Sequence, residues 1–270
     1  MTVENFPESE SNGVKFCPYY FQQIKDGCGE KMKIISWNCN GGFRNKFQAL
    51  EKFNADIWII QESESPDYLK EKNIFIPANN HLWCGDKAFK GMSIFSFHGF
   101  SLRMADFFAP EFKYVLPTVV SSPRGEERLV TGIWASKVKG NPDWDYIGQM
   151  CIFMERYSRF FTPSMIMIGD FNSNMQWNHY HKKEHNYARF LELMSELEMF
   201  SAYHEINHIK HGHESLPTSY YHRDAARGFH IDYAFMGRQN ISTLKNFSIE
   251  GKEWLKFSDH MPLVLETENE

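Results

Sequence analysis

An α/β fold is predicted for this 270-residue chain on three observations. Short apolar runs of strand type alternate with segments whose apolar residues recur at helical spacing. The two kinds intermix along the chain instead of segregating. With 42% hydrophobic and 16% aromatic residues, the chain also carries enough apolar material for a sizeable core. The length suits one large domain or two small ones. The pattern predicts one domain over residues 32–270, preceded by an extension, 1–31, that is disordered or a small appendage. Cys17 and Cys28 in that extension lack the second ligand pair that a zinc site needs.

Taken in order, "MKIISW" from Met32 predicts the first strand. Residues 43–54 carry Phe47, Leu50 and Phe53 at helical spacing. "DIWII" (56–60) is a continuous apolar run and predicts a strand buried on both faces. "GMSIFSF" (91–97) and "RLVTGIWA" (128–135) predict further strands. Asn141-Pro142 predicts an N-cap with proline at the first helical position. After it Ile147, Met150, Cys151, Met154, Tyr157 and Phe161 form one apolar helical face. "MIMI" (165–168) predicts a buried strand that stops at Gly169. Tyr187, Phe190, Leu191, Met194 and Leu197 mark another helix. "HIDYAFM" (230–236), "ISTLKNFSI" (241–249) and "MPLVLE" (261–266) predict the last strands.

Composition narrows the function. The formal net charge of −5 and a pI near 6.2 disfavour a sequence-independent nucleic-acid coat protein, yet leave room for an enzyme with a local basic groove. No run approaches the roughly 18 apolar residues of a membrane helix. The first residues lack the basic and apolar regions of a signal peptide. Five cysteines, an odd number without a disulfide rhythm, predict a reducing compartment, the cytoplasm. Neither GxGxxG nor GxxxxGK[ST] is present, so the common nucleotide-cradling loops are absent. No obligate protein partner is expected.

Polar residues follow the apolar runs in one repeated way. "IISW" leads into Asn38-Cys39-Asn40-Gly41, "IWII" into Gln61-Glu62, and "MIMI" into Gly169-Asp170-Phe171-Asn172. His230-Ile231-Asp232-Tyr233 and Ser258-Asp259-His260 adjoin the last strands. A lone Asp or Asn after a strand is usually a turn former; five clusters in order predict a shared edge. Carboxylates and carboxamide oxygens are hard ligands that suit Mg²⁺ or Mn²⁺ rather than zinc. Phosphoryl transfer needs that charge neutralisation and an aligned water. A histidine beside a buried aspartate is held in one tautomer, with raised basicity.

"SWNCNG", "IIQE", "GDFNSN", "HIDYAF" and "SDHMP" together resemble the endonuclease/exonuclease/phosphatase superfamily, from Met32 to about Glu266. The chain is similar to its nuclease-like bacterial branch. The resemblance implies a four-layer α/β sandwich, with two mixed β-sheets face to face and helices outside. It also implies roles. Glu62 is the principal metal carboxylate, with Asn40 and Asp259 on the metal side. Asn38 flanks metal and phosphate. Asp170 orients or deprotonates the attacking water, Asn172 holds the scissile phosphate, and His260, oriented by Asp232, donates to the phosphate. A nuclease of this family would leave a 3′-hydroxyl and a 5′-phosphate.

Two departures stand out. Asn40 replaces the Asp of many abasic-site endonucleases. Trp134 stands where other members place His or Tyr, and an indole N–H donates a hydrogen bond but cannot transfer a proton. The "QESES" stretch lacks the basic residue of abasic-site endonucleases. The expected activity is therefore a Mg²⁺- or Mn²⁺-dependent phosphodiester hydrolase acting on nucleic acid, DNA first. The rival is a phosphatase or phosphodiesterase of a small-molecule or lipid-headgroup phosphate, in keeping with the acidic pI. Arg44 and Trp134 are expected to contact substrate, and Tyr221 and Arg223 to stack on an exposed base. His204, His208, His211 and His213 lie within ten residues. Their spacing matches no standard ligand framework, so they are read as a polar loop near the active edge rather than a soft-metal site.

Overall fold

The computed structural model describes residues 31–268. The expected N-terminal extension with Cys17 and Cys28 lies, apart from Lys31, outside the described residues. Fourteen strands are present among the described residues. They are β1 (Met32–Asn38), β2 (Ile57–Ser63), β3 (Asn80–Lys87), β4 (Lys90–Ser96), β5 (Ser101–Met104), β6 (Val115–Ser121), β7 (Glu127–Trp134), β8 (Ile166–Asp170), β9 (Met199–Ser201), β10 (Ser219–Tyr220), β11 (Gly228–Phe229), β12 (Asp232–Gly237), β13 (Leu244–Ile249) and β14 (Leu263–Thr267). Twelve of them form two six-stranded sheets, in the orders β13-β14-β1-β2-β4-β3 and β5-β6-β7-β8-β12-β9. β10 and β11 make a separate two-stranded ribbon. Each large sheet is mixed: β1 and β2 run parallel in one, β7 and β8 in the other.

Period-two alternation sorts the side chains into layers. From β1, Ile34 enters the core between the sheets while Ile35 and Trp37 point to the outer face. The inner layer joins Ile34, Ile57, Ile59 and Leu265 to Ile166, Ile168, Ala234 and Met236. Gly132 of β7 sits in this contact, and a Cβ there would lie only 3.0 Å from Ile59 and 3.2 Å from Ile94. The outer face of the second sheet is covered by α1 (Ile147–Tyr157) and α2 (Tyr187–Glu196), through Met150, Met154, Phe190 and Met194. The outer face of the first is covered by Phe43, Phe47, Leu50 and Trp254. Helices, sheet, sheet and helices make four layers, as the resemblance implies.

Several elements differ from the sequence expectation. Residues 43–54 form two short turns, Phe43–Asn45 and Gln48–Glu51, rather than one helix. Asn141 does not cap α1: its side chain makes no capping bond, Pro142–Trp144 is a separate 3₁₀ turn, and α1 starts at Ile147. "MIMI" does not stop at Gly169 but continues through Asp170 in register with Trp134 and Asp232. Ile241 and Ser242 belong to a short helix, Arg238–Ser242, ahead of β13. β3, β5, β6 and β9 were not anticipated. β3 is only partly buried, so it lacks a continuous apolar run. β6 contains Pro117, which argues against a central strand by sequence alone.

Candidate active site

Strand direction explains why the polar clusters meet. β1 and β2 are parallel, as are β7 and β8, so Asn38, Glu62, Trp134 and Asp170 all fall at carboxyl ends. β12 runs antiparallel to β8 and starts at the same edge, with Asp232 opposite Asp170. β14 runs antiparallel to β1, so Asp259 and His260 arrive there from the preceding loop.

The centre is a buried aspartate–histidine–aspartate arrangement. His260 Nδ1 lies 3.0 Å from Asp232 Oδ2, and His260 Nε2 lies 4.0 Å from Asp170 Oδ2. Asp232 is braced by the Thr218 hydroxyl, which donates to Oδ2 at 2.6 Å. The same hydroxyl oxygen accepts from the backbone N–H groups of Ile231 and Asp232. The His260 backbone is also held: its N–H donates to Ser258 Oγ, and its carbonyl accepts from the Trp37 indole at 3.0 Å.

The electrostatics set the histidine and Asp170 apart. Burial opposes the imidazolium, but the carboxylates of Asp232 and Asp170 outweigh it and hold the His260 pKa well above its ordinary value. Burial, followed by repulsion from Asp232, raises the Asp170 pKa, against the opposing charge of His260. Asp170 accepts three donors: Asn38 Nδ2 at 3.0 Å, the Asn172 backbone N–H at 2.8 Å and Asn172 Nδ2 at 3.0 Å.

Asn172 departs from its expected contact. Its amide donates to Ala135 O at 2.9 Å as well as to Asp170, so both N–H groups point inward. Flipping the amide would set its oxygen against two acceptors. In this geometry Asn172 braces Asp170 and presents only a carbonyl oxygen outward. Its φ of +47°, like that of +53° at Asn40, is a left-handed conformation that asparagine tolerates. Gly169 has φ +151°, and a Cβ there would lie 1.9 Å from the Ile133 carbonyl oxygen.

Glu62 sits on a β-bulge: the pairing of β2 with β4 shifts register between Gln61 and Ser63, and Glu62 has φ +61°. A left-handed glutamate is uncommon, and a bulge re-aims a side chain at the cost of strain. Its carboxylate pairs with Lys90 Nζ at 2.9 Å, and that ammonium lies 5.2 Å from the Trp134 ring. Asn40 Nδ2 donates to Asp259 Oδ1 at 2.9 Å. The Asn40 loop lies beside β2, since the Cys39 N–H donates to Gln61 O and Cys39 Sγ to Glu62 O. Glu62, Asn40 and Asp259 thus offer only oxygen ligands, and the ammonium on Glu62 shows that the position accepts positive charge. This donor set fits a hard divalent cation.

The remaining expected contacts are more peripheral. Arg44 is engaged by the fully buried Glu64 carboxylate, so its charge is committed within the fold. Trp134 is buried and packs on the Tyr114 ring, with centroids 4.4 Å apart and planes tilted by 31°. Tyr221 is exposed beneath the Arg227 guanidinium, and Arg223 donates to Phe257 O at 3.1 Å. The sequence reading missed Lys90 and Thr218 and gave Ser258 no role. Ser258 opens the SDH motif and donates to Asn38 O at 2.6 Å. Thr218 carries no motif, and Lys90 reaches Glu62 only through strand pairing. Lys46, also missed, donates to Cys39 O and Gly41 O and fixes the first loop.

Two facing mixed sheets with helices outside, and an acidic, histidine-bearing edge, define a hydrolase of phosphoric esters. The Endonuclease/Exonuclease/phosphatase family matches residues 35–260, and the chain belongs to that family. Its members are divalent-metal-dependent phosphoesterases. Among solved structures, the chain is similar to an AP endonuclease from Leishmania major (14% identity, TM-score 0.66, covering 89% of each chain). It is similar to one from Archaeoglobus fulgidus (16%, 0.64, 87% of this chain and 98% of that one). It is also similar to a 3′ phosphatase from Neisseria bound to a product DNA hairpin (17%, 0.63, 88% and 99%). At these identities the likeness is one of fold. No curated protein sequence matches. Among the described residues no helix is long and apolar enough to cross a membrane.

Proposed function

We propose that the protein is a Mg²⁺- or Mn²⁺-dependent DNA phosphodiesterase that leaves a 3′-hydroxyl and a 5′-phosphate. The observation that carries this reading is the pairing of His260 with Asp232 at 3.0 Å, 4.0 Å from the buried Asp170. Glu62, Asn40 and Asp259 would hold the cation, which supplies charge neutralisation at the phosphate. His260, kept protonated by Asp232, donates to a non-bridging oxygen as negative charge grows there. Asp170, braced by Asn38 and Asn172, orients the attacking water and takes its proton. Tyr221 supplies an exposed ring face for a base, Trp134 packs beneath Lys90, and Arg223 and Lys90 supply positive charge near the phosphate path. Similarity to proteins named as AP endonucleases and as a DNA-bound 3′ phosphatase supports DNA over a headgroup phosphate.

The test is a panel of plasmid, single-stranded and abasic-site DNA, RNA and small phosphate esters, each with Mg²⁺ or Mn²⁺. Cleavage of at least one DNA, with a loss of roughly 10³-fold or more in Glu62→Ala and in His260→Ala, is expected. Turnover of small esters alone by well-folded protein would favour the headgroup reading instead.

A further inference from the structure

Of the histidine tract, His208, His211 and His213 lie in the expected loop, whereas His204 is buried on the short helix before it. The short helix Ala202–Asn207 and the turn after it fold His204, His211 and Glu214 together. Their candidate ligand atoms lie within 4.8 Å of one another. Around one tetrahedral ion with ligands at about 2.1 Å, ligand pairs lie roughly 3.4 Å apart, so closure draws the widest pair in by up to about 1.4 Å. His204 and Glu214 are already at 3.0 Å, and the His204 and His211 rings stack with centroids 3.5 Å apart, so one imidazole must tilt for both nitrogens to face the ion.

The surroundings match those of metal-binding imidazoles, whose second nitrogen is held by an oxygen partner. His204 Nδ1 lies 2.7 Å from Ser201 Oγ, and His211 Nδ1 lies 3.2 Å from Tyr187 OH. Glu214 is fixed by the Gly212 N–H at 3.0 Å and by Asn174 Nδ2 at 3.2 Å. An independent sign comes from His230. Its Nδ1 is bound to Leu216 O at 2.7 Å, and its Nε2 is buried with no partner among the described residues. Its ring is 6.0 Å from that of His204, and a small cavity of about 50 Å³ opens between His230, Glu214 and Asn174.

We propose that His204, His211 and Glu214 form a second, structural site for a divalent transition-metal ion, Zn²⁺ by its ligand types, with His230 flanking the open side. Two imidazoles and a carboxylate are borderline donors that favour Zn²⁺ over the hard cation of the active edge. The site lies against Asn174 and His230, each two residues from a member of the catalytic edge, Asn172 and Asp232. A bound ion would therefore clamp the 204–214 segment behind both.

The test uses the full chain, stripped by chelator and dialysed against micromolar Zn²⁺, with bound metal counted by mass spectrometry. A Glu62→Gln background removes the active-edge carboxylate. One equivalent of Zn²⁺ is expected in the parent and in Glu62→Gln. His211→Phe, which keeps a ring in the stack, and Glu214→Gln should each weaken binding at least tenfold. If those variants do not fold, X-ray absorption of Zn²⁺-loaded Glu62→Gln gives the answer, with imidazole and oxygen ligands expected together. No retained Zn²⁺, unchanged affinity in folded His211→Phe and Glu214→Gln, or oxygen-only coordination would each overturn the proposal.

Discussion

Asp232 touches no expected substrate atom, yet its carboxylate, 3.0 Å from His260 Nδ1, favours one tautomer and the charged form of His260. Asp232→Asn keeps the shape and removes the charge that holds the imidazole protonated. A drop of about 10²–10⁴ in turnover is expected, with little change in melting temperature, read by steady-state kinetics beside a thermal melt. Equal activity in the variant would remove His260 from the role of donor. Gly169 makes a different demand, on the backbone. Gly169→Ala places a methyl 1.9 Å from the Ile133 carbonyl oxygen, in a left-handed conformation. The parallel β7–β8 pair must then part, and a loss of more than about 2 kcal/mol is expected in denaturant titration. The carboxylates, carboxamides and histidine of the site were legible because they adjoin apolar runs in sequence. Lys90 was not, because only the pairing of β2 with β4 brings it to Glu62, and Thr218 was not, because only the fold-back between residues 218 and 232 brings it to Asp232.

Among the elements, legibility followed burial. β2 and β8 are sealed on both faces, so their apolar runs read plainly. β3 faces solvent along much of its length and left no such run. The predicted helix over 43–54 failed because Phe43, Phe47 and Leu50 dock on the first sheet through two separate turns. His81 of β3 offers a test at this scale. Its ring stacks on Phe95 at 3.9 Å, its Nε2 lies 2.9 Å from Ser93 Oγ, and burial lowers its pKa to about 4. The unfolded chain protonates this histidine near pH 6.5, the folded chain only near 4. The unfolded state therefore binds more protons between those values, and stability falls as pH drops from about 6.5 to 4. His81→Phe should flatten that part of the stability–pH curve; an unchanged slope would show that other groups set it.

Over the whole molecule, the two sheets act as a rigid frame that holds one edge in place. The inner layer is built mainly on apolar side chains such as Ile34, Ile59, Ile166 and Ile168, each fully buried, with Ser36, Gln61 and Thr118 buried on the same strand faces. Ile168→Ala, two residues from Asp170, is expected to cost about 2–5 kcal/mol. The same change should lower activity beyond the loss of folded protein, since displacing reactive groups by about 1 Å can cost roughly 100-fold. The net charge of −5 places any attraction for DNA in local basic residues. A DNA substrate then predicts binding that weakens steeply with salt, whereas a small phosphate ester predicts a shallow dependence.

Glu62, Asp170 and the His260–Asp232 pair are proposed to hydrolyse DNA phosphodiesters together. Single-turnover cleavage of end-labelled DNA with Mg²⁺, comparing the parent with Glu62→Ala and His260→Ala and identifying the new ends, tests this proposal. Expected are 3′-hydroxyl ends that a polymerase extends, and a loss of roughly 10³-fold or more in both variants. Intact DNA with folded parent protein across the panel, or cleavage that persists in both variants, would contradict it.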